Sequence, residues 1–236
     1  MSFTAESNPL IVALDVSSRP EAMRLVDRLA GRVGMFKIGN QLFMAEGPDV
    51  VREVIDRGER VFLDLKFHDI PNTVRSAAVE AARLSVSMLT IHASGGPVMI
   101  GDTVRALQDR FGDARPFVVA VTVLTSIDRS ALVRTGVDRE AKDQVLLLAR
   151  MAAEAGADGF VCSAGEIEML RRNVEGHPRI VTPGVRMPGQ SIDDQARVAT
   201  PHAAVAAGAD HVVVGRFVNQ AEDPRAAAGE VLDSLS

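Results

Sequence analysis

Arg60-Val61-Phe62-Leu63-Asp64-Leu65-Lys66-Phe67-His68-Asp69 runs straight into Ile70-Pro71-Asn72-Thr73. Arg60 to Leu65 is an apolar run without polar/apolar alternation, the pattern of a parallel strand covered on both faces. Its charges gather at the carboxyl end, where open or closed α/β sheets carry their sites. Seven further runs share the pattern: Leu10 to Leu14, Met35 to Ile38, Met88 to Ile91, Phe117 to Val121, Gly159 to Val161, Arg179 to Val181 and His211 to Val214. Helical segments separate them. After the first run, Ser18-Arg19-Pro20-Glu21 predicts a capping box, and Ala22, Leu25, Val26 and Leu29 make one apolar face before Gly31. Other helices are predicted over Pro48 to Asp56, Asn72 to Leu84, Val98 to Arg110, Asp138 to Ala155, Gly165 to Asn173, Pro201 to Ala207 and Pro224 to Leu235. Eight strand–helix units with no Pro/Gly/Ser-rich linker favour one closed α/β (β/α)₈ TIM barrel over residues 1–236, with 1–8 a short polar extension. A doubly wound open sheet has the same periodicity and stays open at this point.

Composition narrows the function. The 236 residues are 47% hydrophobic and carry a net charge of −5, with no basic run to attract nucleic acid or an anionic membrane. The absence of Trp and Tyr leaves no stacking platform for single strands. No apolar run approaches the length of a membrane span, and the first residues lack the layout of an export signal. The lone Cys162 has no internal disulfide partner, which agrees with a cytoplasmic setting. It reads as a buried structural thiol.

The candidate chemistry lies at the predicted strand ends. Of the 26 Lys and Arg residues, only Lys37, Lys66 and Lys142 are lysines. An ammonium can give up a proton near neutral pH and a guanidinium cannot. Asp64 and Lys66, two apart in an extended chain, project to one side, while Asp69 lies past the strand end. Taken alone, Asp64-x-Lys66-x-x-Asp69 is as readily an ion-pair network. Asp15 after the first strand, Lys37 in the second and His92 after the fourth converge on the same mouth; Thr125 and Ser126 follow the fifth. The last two units hold Arg186, Gln195, Gly215 and Arg216, where barrels commonly bind phosphate. Thr182 to Ser191, with two Pro-Gly pairs, is a candidate lid, with Met187 to Asp194 its moving part. The five histidines lack zinc-like spacing, so no metal site is expected.

Together these residues resemble the bacterial type of orotidine 5′-phosphate decarboxylase. Leu14-Asp15, Phe36-Lys37-Ile38-Gly39, Asp64 to Thr73, Val121 to Ser126, Thr182 to Arg186 with Gln195, and Val214-Gly215-Arg216 occur in family order. The resemblance implies a cofactor-free homodimer that converts orotidine 5′-phosphate to UMP and CO₂ in pyrimidine synthesis. It assigns catalysis to Lys66, Asp64, Lys37 and Asp69, with Lys66 stabilising and protonating the C6 carbanion. Asp15 and Lys37 would meet ribose hydroxyls, Thr125 and Ser126 the pyrimidine, and Arg186, Gln195, Gly215 and Arg216 the phosphate. Asp69 and Thr73 would serve the neighbouring subunit's site. The chain departs from the family pattern at Phe217, where Pro is usual, and at Asn40. Two other readings compete: a Mg²⁺-dependent sugar-phosphate decarboxylase or synthase with an acid near the position of Lys37, and a non-catalytic barrel that binds a phosphonucleotide.

Overall fold

The eight apolar runs all form strands. In the computed structural model, which describes residues 8–188 and 199–235, they are β1 (Leu10–Ala13), β2 (Met35–Gly39), β3 (Val61–Phe67), β4 (Met88–His92), β5 (Phe117–Val121), β6 (Gly159–Val161), β7 (Arg179–Thr182) and β8 (His211–Val214). All neighbours pair in parallel, and β8 returns to β1 with Leu10 opposite Val212, so the sheet closes in chain order. That closure decides against the open sheet. The three-residue β6 begins with Gly159 because a Cβ there would lie 2.1 Å from the Arg179 carbonyl oxygen.

Helices α1 (Arg19–Leu29), α2 (Asn40–Glu46), α3 (Pro48–Asp56), α4 (Pro71–Arg83), α5 (Gly96–Phe111), α6 (Arg129–Arg134), α7 (Ala141–Glu154), α8 (Ile167–Asn173), α9 (Pro201–Ala206), α10 (Arg216–Asn219) and α11 (Pro224–Asp233) surround the barrel. The short α2, α6 and α10 were not expected, because four to seven residues are too few to show a helical apolar stripe. The expected capping box at Ser18 does not form. Instead the first amide of α1, Arg19 N–H, donates to the Glu46 carboxylate at 3.0 Å, so a neighbouring helix supplies the anion. A capping box does form at Ser163 and Glu166, where the buried glutamate accepts from Ser163 N–H at 2.7 Å.

The core has two shells. Between sheet and helices lies the larger one, built from residues such as Val12, Phe36, Leu63, Leu89 and Phe160 with the buried faces of the helices. Inside the barrel, Ile11, Ala13, Met35, Phe62, Met88, Val119, Val181 and Val213 pack together. In β1 the inward residues Ile11 and Ala13 fall two apart, as a strand requires. The same phase carried toward the carboxyl ends reaches Asp15, Lys37, Asp64 and Thr90, so the apolar plug ends under a polar layer. At the opposite end Arg115 grips Asp158 with two bonds of 2.6 and 2.7 Å, and Asp158 also accepts from Val118 N–H. Among the described residues, no helix is long and apolar enough to cross a membrane.

Candidate active site

A cavity of about 350 Å³ opens at the carboxyl ends of the strands. Its floor is the top of the barrel plug, Ala13, Phe62, Val161, Val181 and Val213; Asp15, Lys37, Asp64 and Lys66 stand on one side, and Arg186, Gly215 and Arg216 also line it. This is the size and mixed character of a small-ligand site.

The four charges form an alternating line. Lys37 Nζ lies 3.4 Å from Asp15 Oδ1 and 3.7 Å from Asp64 Oδ2, and Lys66 Nζ lies 2.8 Å from Asp64 Oδ1. Asp64 and Lys37 side chains are only 12% and 13% exposed, so little solvent screens them from each other. Each cation faces a carboxylate, whose attraction offsets part of the cost of taking it out of water. Gly39 leaves room for this arrangement: a Cβ there would come within 3.2 Å of Lys37 Nζ.

Lys66 does not reach Asp64 through an extended chain, as the two-residue spacing suggested. Its φ is +52°, and the β3–β4 register shifts between Leu63 and Phe67. A bulge re-aims the lysine, as bulges do beside active sites. Beyond it, His92 is half-buried, with its ring 5.2 Å from that of His68. Burial, then the nearby His68 and Lys66, lower its pKa, so His92 is neutral at pH 7. Cys162 lines the cavity but is buried, and that burial pushes its thiol far above the range of a reactive thiolate.

Across the mouth, Arg186 Nη1 donates to its neighbour's Val185 carbonyl at 3.0 Å, and its backbone N–H donates to Ala199 O at 3.0 Å. Gly215 precedes α10 and stands close to the first strand's end: a Cβ on it would lie 3.3 Å from Asp15 Oδ2. Asn219 of α10 ties this corner down by donating to Ala13 O at 2.6 Å.

Residues 8–231 match the model of the "Orotidine 5'-phosphate decarboxylase / HUMPS family". The chain belongs to that family. It is 47% identical to the orotidine 5'-phosphate decarboxylase of Syntrophotalea carbinolica over 230 residues, covering 96% of this chain and 94% of the relative. It is 44% identical to that of Pseudoalteromonas translucida, covering 98% of each. The crystal structure of orotidine 5'-phosphate decarboxylase from Lactobacillus acidophilus superposes with a TM-score of 0.86 at 36% identity, over 97% of this chain and 99% of that one.

Within this family member, the cavity collects Asp15, Lys37, Asp64, Lys66, Thr125, Arg186, Gly215 and Arg216 from the residues read in the sequence. Ser126 is exposed and does not line it. Asp69 and Thr73 are also exposed and outside it; the Asp69 carboxylate accepts from Ile70 N–H at 2.6 Å. Gln195 and most of the Met187 to Asp194 lid lie outside the described residues. Of the two departures from the family pattern, Phe217 packs against the outer core and Asn40 is an exposed first residue of α2. Thr90 escaped the sequence reading. Its hydroxyl donates to Asp64 Oδ1 at 2.9 Å and accepts from Lys66 N–H at 2.9 Å. The available signal was its phase, two residues beyond inward Met88.

Proposed function

We propose that this chain is an orotidine 5′-phosphate decarboxylase, acting without a cofactor in the cytoplasm, that releases CO₂ to give UMP in pyrimidine synthesis. The observation that carries this reading is the Lys66 ammonium held against Asp64 at one end of a cavity whose other residues include Arg186, Gly215 and Arg216. A nucleoside monophosphate has its anion and its reacting base at opposite ends, and the cavity offers cations at both.

Loss of CO₂ from C6 of the pyrimidine leaves an electron pair in an sp² orbital with no π sink. A fixed ammonium at that carbon offsets the charge as it develops and then delivers the proton that completes UMP. Lys66 fills that role. Asp64 orients it through two bonds of 2.8 and 2.9 Å. Lys37 and Asp15, on the ribose side of Asp64, are placed to meet sugar hydroxyls. Thr125 meets the base, joined by Ser126 on movement of the loop after β5. The Gly215 amide, Arg186, Arg216 and Gln195 hold the phosphate, so that binding energy remote from C6 contributes to the rate as well as to affinity.

The dimer belongs to the same proposal. Asp69 and Thr73 are exposed and lie outside their own cavity, which leaves them free to reach the site of a second copy. In a two-fold dimer each short motif then serves two sites: Asp64 and Lys66 in one, Asp69 and Thr73 in the other.

The test is spectroscopic. Purified protein with orotidine 5′-phosphate should lose the orotate-like part of the ultraviolet absorbance as UMP forms, and should do so in EDTA. Loss of activity in EDTA with recovery on added Mg²⁺ would favour the sugar-phosphate branch of the family. Binding without an absorbance change would favour the non-catalytic barrel. Lys37, a cation where the Mg²⁺-dependent relatives use an acid, favours the decarboxylase.

A further inference from the structure

Leu63 of β3 pairs with Leu89 of β4, and Phe67 pairs with Ile91. Asp64, Leu65 and Lys66 therefore stand opposite Thr90 alone, and the ladder cannot offer a backbone acceptor to each of three amides. Thr90 repairs the gap with its side chain. Lys66 N–H can only donate, so it fixes Thr90 Oγ1 as acceptor at 2.9 Å. An ionised Asp64 can only accept, so the single hydroxyl proton points to its Oδ1, also at 2.9 Å. That oxygen receives Lys66 Nζ as well, at 2.8 Å. The result is a closed ring: Lys66 backbone, Thr90 hydroxyl, Asp64 carboxylate, Lys66 ammonium.

Thr90 is 0% exposed, so water has no access to replace these bonds. It is not among the residues lining the cavity, so it acts through its neighbours. We infer that Thr90 is a positioning residue of the reaction, one hydroxyl that holds the left-handed Lys66 backbone and the Asp64 carboxylate in the register where the ammonium meets C6. This rests on the decarboxylase reading. Its β-branched side chain has few rotamers, which keeps the hydroxyl aimed without help from solvent.

The experiment compares full-length wild type, Thr90→Val, Thr90→Ser and Thr90→Ala by steady-state turnover of orotidine 5′-phosphate and by UMP inhibition. Valine keeps the shape and removes the hydroxyl, so kcat should fall roughly 10²-fold, the scale of a misplaced reacting group. KM and UMP inhibition should stay within about threefold, since the phosphate contacts are untouched, and serine should restore kcat to within about threefold of wild type. If the valine protein does not fold, serine and alanine differ only by the hydroxyl, and alanine should turn over roughly 10²-fold more slowly than serine. Near-wild-type kcat in valine or alanine, even with lowered thermal stability, overturns the inference, as does a serine variant as slow as valine. An active wild type with unaffected variants rejects the Thr90 role alone. An inactive wild type rejects the decarboxylase reading and the Thr90 role with it.

Discussion

Lys66 carries a left-handed backbone within a strand. Among the described residues Ser85 and His177 also have positive φ without being glycine, but both sit in loops. A side chain in that region costs about 1–3 kcal/mol and persists only where its surroundings impose it. Here Thr90 and Asp64 impose it, and the strain falls on the residue proposed to touch the reacting carbon. At the opposite end of the barrel, His211 is the contrasting buried ionisable group. Its Nδ1 has no hydrogen-bond partner, and burial followed by Arg179 lowers its pKa to about 4. The folded chain therefore resists the proton that the unfolded chain accepts below about pH 6.5. Stability from this group is complete above pH 6.5 and is lost as pH falls toward 4, by up to about 3 kcal/mol. Urea midpoints of wild type should drop between pH 7 and pH 4.5, and His211→Phe should flatten that drop; parallel pH dependence in both proteins would assign the loss elsewhere.

At the scale of elements, function and stability separate to the two ends of the strands. Arg115 before β5 and Asp158 before β6 form a pair with side chains 18% and 16% exposed, and Asp158 also caps Val118 N–H. Removing one partner leaves the other charge half-buried, so Asp158→Ala should cost about 3 kcal/mol. Measured by denaturant unfolding, the loss should come with kcat unchanged below the melting transition, since this pair lies far from the carboxyl ends. The strands were legible in the sequence because uninterrupted β-branched runs have one use in an α/β chain, burial on both faces. Leu10, Met35, Met88 and His211 begin their strands as expected. The β3 bulge was not legible. Its cause is a mismatch between β3 and β4, a property of two strands that neither Asp64 nor Lys66 reveals alone. Thr90 was hidden for the same reason, as a lone hydroxyl among Met88, Leu89 and Ile91. The absent capping box at Ser18 shows the converse, a correct local motif displaced by the Glu46 carboxylate from another helix.

For the whole molecule, closure of the barrel brings Asp15 and Lys37 from the first quarter of the chain against Gly215 and Arg216 from its end. That convergence was readable once eight units were counted. The second subunit, implied by the family resemblance, is consistent with Asp69 and Thr73 being exposed outside their own cavity, and it has a direct consequence. Lys66→Ala and Asp69→Ala proteins should each be nearly inactive. In a mixed two-fold dimer, one of the two sites receives Lys66 from one chain and Asp69 from the other. Random reassociation should thus restore about a quarter of wild-type activity. Mixtures as inactive as their components would place Asp69 in its own chain's site or outside catalysis.

In the proposed reaction the Lys66 ammonium, aimed by Asp64, offsets the carbanion and protonates it. The most direct measurement is kcat of Lys66→Arg on orotidine 5′-phosphate, since arginine keeps the positive charge but cannot give up the proton. A loss of at least about 10³-fold is expected, within the range of a lost general acid. UMP inhibition should remain within about tenfold, because the phosphate is held elsewhere. Turnover near the wild-type rate in Lys66→Arg would contradict this role for Lys66.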